Sequence, residues 1–263
     1  VKPIPLNKRS PVPLYYQLVE WLREQISSGE LPPNSQLPSE RDLGEQTGIS
    51  RMTVRQAITY LVNEGVLIVK PGIGTFVAEP KLTHDALNLL GFTEEMMRQG
   101  GQVSSTVLEQ AVVVPPPRVA DRLGISPGAE TVKVVRLRYG RGEPLLLETS
   151  YVPTALCAGL EHEDLAANSL YTLLEQKYDL RLQRASQTFE VTLPNEYERS
   201  LFQINAGMPM ILLEGVTYAG HDLPVEFFKA LYRGDRFKFR VESQRNDVTV
   251  QNTAPLVDVV LKA

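Results

Sequence analysis

Residues 38–77, PSERDLGEQTGISRMTVRQAITYLVNEGVLIVKPGIGTFV, decide the reading of the N-terminal part of the chain. Ser39 can cap a short helix over about residues 40–46, and Asp42, three positions on, completes a weaker form of the capping box. Thr47 and Gly48 supply the turn. Ser50 can then cap a second helix over about 51–63, whose inner face carries Val54, Ile58 and Leu61 at helical spacing. Two short helices joined by a glycine-containing turn form a helix-turn-helix. Beyond Gly65, VLIVKPGIGTFVAEP reads as two short strands around a Pro71-Gly72 tip, which is a wing. A module of this kind puts the N-terminal half of its second helix into the DNA major groove. Arg51, Met52, Thr53, Arg55 and Gln56 occupy that half. A guanidinium fork grips phosphate or guanine, and threonine meets phosphate or a thymine methyl. Arg41, near the start of the first short helix, is placed to clamp a backbone phosphate, and Gly72 and Gly74 allow the wing a close approach to the minor groove.

Upstream, Leu14, Leu18, Leu22 and Ile26 recur every four residues, a helix that stops at Gly29 before LPPNSQLP. Downstream, residues 80 to about 100 read as a linker that becomes a helix, with Thr93 as N-cap and Gly100-Gly101 as the end. From 103 the texture becomes that of strands. VSSTVLEQAVVV is a strand candidate, and PPPRVADRLGISPG is a proline-started helix. ETVKVVRLRYGRGEPLLLETSYVP is a hairpin turning at residues 140–143. A helix at about 169–177, a strand at 182–193, a helix at about 195–203 and a closing hairpin complete the pattern. The expected fold class is α+β: a winged helix-turn-helix over 1–79, a linker over 80–92, a mixed α/β, mainly antiparallel-sheet domain over 93–250, and a tail over 251–263.

Composition bounds the function. At 263 residues the chain accommodates two domains, each with its own core. The formal charge is −4, and residues 1–80 hold eight cations against eight anions, so DNA binding requires the fold to gather positive groups on one face. No apolar run approaches the roughly 20 residues of a membrane span, and VKPIPLNKRS is not followed by an apolar signal segment. A single cysteine, Cys157, supports no intrachain disulfide. These features favour the cytoplasm. His84, His162 and His221 are scattered, Cys157 has no neighbour at metal-ligand spacing, and no nucleophile elbow, phosphate loop or zinc-protease motif occurs. Neither an enzyme nor a metal or cofactor is expected.

Arg136 and Arg138 lie two apart and so project from one face of a strand otherwise rich in valine and leucine. Like charges on one face seek an anion, a phosphate or a carboxylate. They read equally as the solvated side of a hairpin, paired to Glu148. Ser169, Leu170 and Tyr171 open a helix whose amides favour an anion, or they are an ordinary cap with a half-buried tyrosine. Glu148 and Glu226 accept hydrogens from a sugar or amine, or pair with the arginines. Tyr232, Arg233 and Asp235 read as a turn network as readily as a ligand contact, and only Tyr232 is taken as a contact.

The string LPSERDLGEQTGISRMTVRQAITYLVNEGVLIVKPGIGTFV resembles the N-terminal domain of the GntR family of bacterial transcription regulators. Residues from about 82 to 245, through FTEEMMRQG, TVKVVRLRYGRGEPLLLETSYVP, NSLYTLLEQKYDL and VEFFKALYRGDRFKFRVES, resemble the UTRA ligand-sensing domain of its HutC subfamily, a chorismate-lyase-like fold. The resemblance implies a homodimer on palindromic operator DNA, a repressor relieved by a small effector. It implies operator contacts at Arg41, Arg51, Thr53, Arg55 and the wing around Gly72. FTEEMMRQG is most similar to the branch governing N-acetylglucosamine use. That likeness implies glucosamine-6-phosphate or N-acetylglucosamine-6-phosphate as effector. The implied site comprises Gly91, Phe92, Arg136, Arg138, Glu148, Ser169, Tyr171, Glu226 and Tyr232. One departure stands out: Gly91 occupies a place where that branch carries a small hydroxyl residue, so only a backbone contact survives there. The alternatives are a different anionic or neutral metabolite and, in another class, a chorismate-lyase-like enzyme. The attached DNA reader argues against the enzyme.

Overall fold

The structure, a computed structural model, describes residues 6–85 and 88–242. The first domain packs α1 (Leu14–Ser27), α2 (Glu40–Thr47) and α3 (Arg51–Asn63) beside a wing of β1 (Leu67–Lys70) and β2 (Gly74–Val77). Both helix starts use the expected caps. Ser39 Oγ accepts from Asp42 N at 3.2 Å while Asp42 reaches back to Ser39 N, and Ser50 Oγ accepts from Thr53 N at 3.1 Å. These bonds satisfy backbone donors that a helix start leaves open. Leu18, Val19 and Leu22 of α1 meet Leu43 of α2 and Val54, Ala57, Ile58 and Leu61 of α3 in one core, closed by Leu67 and Val77 of the wing. The wing strands are antiparallel, from Leu67 opposite Val77 to Lys70 opposite Gly74.

The second domain is a six-stranded antiparallel sheet of β4 (Val103–Val113), β5 (Thr131–Gly140), β6 (Glu143–Pro153), β7 (Leu182–Thr192), β8 (Met210–Ala219) and β9 (Leu223–Arg233). Its spatial order is β4-β5-β6-β9-β8-β7. The 140–143 turn aligns Arg136 opposite Glu148, and the closing hairpin aligns Thr217 opposite Glu226. Helices cover both faces. On one, α4 (Phe92–Arg98) buries Phe92 and Met96 against Leu146, Phe228 and Ala230, and α6 (Leu170–Gln176) buries Leu170 and Leu174 against Val132 and Val134. On the other, α5 (Pro117–Leu123) lies over Val216 and Phe227, and α7 (Glu196–Phe202) sets Phe202 against Leu137 and Leu231. Polar side chains on the first face are therefore dragged inward by strand alternation.

Two expectations need correcting. Thr93 does not cap α4; the cap is Gly91, whose N–H donates to Glu94 Oε2 at 3.2 Å. The helix starts earlier because Glu94 sits at its third position, which frees the Thr93 hydroxyl. The segment 80–92 is also more than a linker. It contains β3 (Leu82–Asp85), paired in parallel with β10 (Phe237–Arg240), and the first residue of α4. Pairing between segments so distant in sequence leaves no local periodicity to read. The expected tail at 251–263, and the last residues of the expected second domain, lie outside the described residues.

The domains meet at a tight junction. Gly65, just after α3, has φ +73°, and a Cβ there would stand 2.4 Å from the Asp235 carbonyl oxygen. Lys81 Nζ donates to the Gly234 carbonyl at 2.7 Å, and Arg141 pairs with Glu79. Asp235 is held by a two-pronged bond from Arg233, at 3.0 and 2.6 Å. Gly65→Ala therefore meets both a strained backbone and a clash, and is expected to cost about 1–3 kcal/mol of stability in urea unfolding. Unchanged stability would mean that the Gly65–Asp235 contact does not form.

Candidate functional site

The outward face of α3 presents Arg51, Met52, Arg55, Gln56 and Thr59, with Met52 67% exposed. The arginines are not idle. Arg51 Nε reaches Glu40 Oε2 at 2.9 Å, and Arg55 grips both Glu40 oxygens, also at 2.9 Å. Arg55, aided by Arg51, holds the Glu40 carboxyl below its ordinary range against the opposing effect of burial. Arg41 pairs with Glu45 at 2.9 Å across one helical turn. Exposed pairs of this kind contribute at most about 1 kcal/mol, so a phosphate can displace the carboxylates. The Thr53 hydroxyl is engaged with Ser50 Oγ at 2.8 Å, leaving its methyl and one lone pair for other work. Gly72, φ +73°, stands at the open tip of the wing. Arg41 and Arg51 line one shallow groove; Arg55, Gln56 and Thr59 line another with Tyr15 and Tyr60 from the core side. Glu40 was missed by sequence reasoning, because only the turn angle brings it under both arginines.

The second site grows from β5. Arg136 and Arg138 are not on a solvated face. They are 2% and 3% exposed, pointing into the layer between the sheet, α4 and α6. Both donate to one oxygen, Glu148 Oε2, at 2.7 and 3.2 Å. Arg136 also approaches the Leu165 carbonyl at 3.5 Å, and Arg138 donates to Thr93 Oγ1 at 2.5 Å with its guanidinium over the Phe92 ring. Among the described residues the Nε atoms of both arginines are buried without a partner. Burial lowers the Arg138 guanidinium to about 10, with Glu148 opposing and Arg136 adding to the fall, so it stays charged at neutral pH. Burial works against ionisation of Glu148, but the two guanidiniums outweigh it and hold the carboxyl below its ordinary range.

Glu226, 1% exposed, stands beside this trio. It accepts from Ser150 Oγ at 2.6 Å and Thr217 Oγ1 at 2.8 Å, and Tyr171 Oη lies 3.1 Å from that Thr217 hydroxyl. Burial pushes the Glu226 carboxyl up, with Glu148 adding to it. A Cβ at Gly91 would lie 3.6 Å from Ser169 Oγ and 3.5 Å from the Tyr171 ring, so these three expected residues adjoin. Ser169 Oγ caps α6 through Thr172 N. Tyr232 sits at the apolar edge, stacked against His84, Phe237 and Phe239. All nine expected effector residues thus converge on one face of the sheet. Thr93, Ser150 and Thr217 were missed. The available signal was small hydroxyls on the inward parity of strands that also carry buried charge.

A buried pair links this site to the domain junction. His84 of β3 has Nδ1 3.8 Å from Glu95 Oε2 of α4, near enough for charge attraction but not for a hydrogen bond. Burial pushes the His84 imidazole down against the pull of Glu95. Gln99 ties the same elements, donating to Glu95 Oε1 and the Thr83 carbonyl. Among the described residues no cluster of three His, Cys, Asp or Glu could hold a metal ion, and no helix is long and apolar enough to cross a membrane.

Comparison with known proteins places these features in context. Residues 14–77 match the family of bacterial regulatory proteins, gntR family, and residues 98–238 match the UTRA domain. The chain is 38% identical over 234 residues to the HTH-type transcriptional repressor NagR of Bacillus subtilis, covering 89% of this chain and 96% of that protein. It is 31% identical over 233 residues to the mannosyl-D-glycerate transport/metabolism system repressor MngR of Escherichia coli, covering 89% and 97%. Among solved structures it is similar to PhnF from Mycobacterium smegmatis, with a TM-score of 0.63 at 27% identity over 87% of this chain and 99% of that one.

The arginine trio carries a pH signature. A carboxyl held below its unfolded value adds stability above the ordinary carboxylate range, and that stability is lost as pH falls through the folded value. Glu148→Gln leaves two buried cations without a counter-charge, an expected loss of about 3–5 kcal/mol at neutral pH. The difference from wild type should begin to narrow below about pH 4, once the unfolded carboxyl is protonated, and close only as pH falls through the depressed folded value. Urea unfolding at both pH values checks this; a pH-independent difference would show that Glu148 is not the counter-ion.

Proposed function

The chain belongs to the gntR family of bacterial regulatory proteins and is a DNA-binding transcription regulator with a UTRA effector domain; from that premise we propose that it represses amino-sugar utilisation genes and is released by glucosamine-6-phosphate or N-acetylglucosamine-6-phosphate. The observation that carries this reading is the buried pair Arg136 and Arg138 sharing one oxygen of Glu148. One carboxylate balances one of two cations, and the surplus charge with two unspent Nε–H donors suits a phosphate. Glu148 Oε1 takes no hydrogen bond among the described residues and is free to accept from an amine, an amide or a sugar hydroxyl. Ser169, Tyr171 and the Gly91 backbone would close around the sugar. The resemblance of FTEEMMRQG to the amino-sugar branch narrows the anion to an amino-sugar phosphate, and repression is the action named for both NagR and MngR.

In this reading two protomers place their α3 helices in the half-sites of a palindromic operator, in the cytoplasm where the chromosome lies. Arg51 and Arg55 exchange Glu40, and Arg41 exchanges Glu45, for DNA phosphate or base edges. Effector binding pulls Arg138 away from Thr93 or tightens the two, which moves α4. Glu95 and Gln99 pass that shift to β3, and the β3–β10 ladder passes it to Asp235 against Gly65. The heads then change their separation. To swing occupancy from 99:1 to 1:99 the effector must favour the released state by about 10⁴-fold, or about 5.5 kcal/mol.

The test separates the two halves. Arg138→Lys keeps the charge but loses the fork, and should weaken glucosamine-6-phosphate binding by about ten- to a hundredfold in calorimetry while sparing DNA affinity. Arg51→Ala and Arg55→Ala should each weaken operator binding by about tenfold or more, from about 1–3 kcal/mol per lost contact. Wild-type effector affinity in the Arg138 variant would contradict the anion site.

A further inference from the structure

We propose that the turn carrying Lys8 and Arg9 is a further contact of this chain with the phosphate backbone of duplex DNA, a proposal that rests on the DNA-binding reading above. Residues 6–13, before α1, are anchored to the domain. Leu6 packs on the first domain's core, Asn7 N donates to Gln17 Oε1 at 2.8 Å, and Gln17 Nε2 returns a bond to the Asn7 carbonyl at 3.1 Å. Ser10 N then donates to the Asn7 carbonyl at 3.2 Å, and Asn7 Oδ1 accepts from Arg9 N at 2.9 Å. These bonds form a tight turn whose two central residues are Lys8 and Arg9. Both are exposed.

Its position is what matters. Lys8 Nζ donates to the Gly48 carbonyl at 2.9 Å, and Gly48 is the residue that turns α2 into α3. The ammonium is therefore held beside the end of α3 that enters the groove, with two of its three N–H donors unspent. The charge balance of the domain points the same way. Arg41 is matched by Glu45, Arg51 and Arg55 by Glu40, and Arg23 by Glu64, while Lys70 lies over the Phe76 ring. Lys8 and Arg9 have no carboxylate partner among the described residues. Among the described residues of the domain, the cations without a carboxylate partner are Lys8, Arg9 and Lys70 of the wing, and two of these three stand at this turn. A polyanion lying along α3 is the partner that such a place fits. The ordering cost of the lysine is already met by its bond to Gly48, so the phosphate contact is preorganised.

The proposal is tested with a mixed-sequence DNA duplex, whose binding is governed by phosphates alone. Wild type and a double variant, Lys8→Gln with Arg9→Gln, are titrated by fluorescence anisotropy across a range of salt concentrations. Each lost phosphate contact should flatten the slope of log affinity against log salt by about 0.9, so the double variant should be flatter by about 1.8. Its low-salt affinity should fall by about tenfold, and Lys8→Arg should keep wild-type behaviour. Arg9→Gln alone, which removes no hydrogen bond from the turn, should flatten the slope by about 0.9 and keeps the test sound where the double variant folds poorly. Unchanged slopes in a folded variant overturn the proposal. Absence of duplex binding by wild type at low salt overturns the DNA-binding reading beneath it instead.

Discussion

Two guanidiniums on the inner face of one strand must find counter-charge or push apart, and the effector domain is arranged around how Arg136 and Arg138 meet that demand. The hairpin turn aligns β5 and β6 so that Glu148 lies opposite Arg136, and the same Glu148 oxygen serves Arg138. Losing either side of a buried pair costs about 3–5 kcal/mol, several times the worth of an exposed pair. Arg138 then reaches Thr93 and lies over Phe92, which ties the first turn of α4 to the sheet. Glu226 stays beside the trio without another cation because Ser150 and Thr217 hydroxyls serve it, and because burial favours its neutral form. The site is thus a polar island whose members are mutually committed, while among the described residues the two arginine Nε–H donors remain unspent.

The exposed arginines of α2 and α3 follow the opposite rule. Arg41, Arg51 and Arg55 are held by carboxylates in water, where exchange for phosphate is cheap. Between the two regimes lies a short chain of contacts. It runs from Arg138 and Thr93 along α4 to Glu95, across to His84 on β3, through the parallel ladder with β10, and on to Asp235 against Gly65. Every step but one is a packed or bonded contact with little room to deform. The buried histidine facing a carboxylate at 3.8 Å is the one step that is neither fully bonded nor apolar.

Local chemistry explains which parts of this were legible from sequence. Ser39, Asp42 and Ser50 act within four residues of themselves, so the two motif helices and their turn could be read directly. Strand alternation brought Arg136 and Arg138 to one face, and a four-residue turn implied Glu148 opposite them. What escaped was non-local. Nothing in LTHD announces a parallel partner at 237–240, and nothing near Glu40 announces arginines eleven and fifteen residues away. Thr93 had the composition of a cap, but Glu94 reaching back to Gly91 made the helix start earlier and left Thr93 to Arg138. Of the expected alternatives for the arginines, the pairing with Glu148 is formed, and one carboxylate set against two guanidiniums leaves a net positive charge.

In the proposed mechanism, occupancy of the arginine site and occupancy of DNA exclude one another. The most direct measurement takes a duplex selected by the protein from a random-sequence pool and titrates it with the full chain, with and without saturating glucosamine-6-phosphate. The sugar phosphate is expected to weaken duplex binding by tenfold or more, a coupling of about 1.4 kcal/mol at the least. Identical affinity in the presence and absence of bound effector would contradict it.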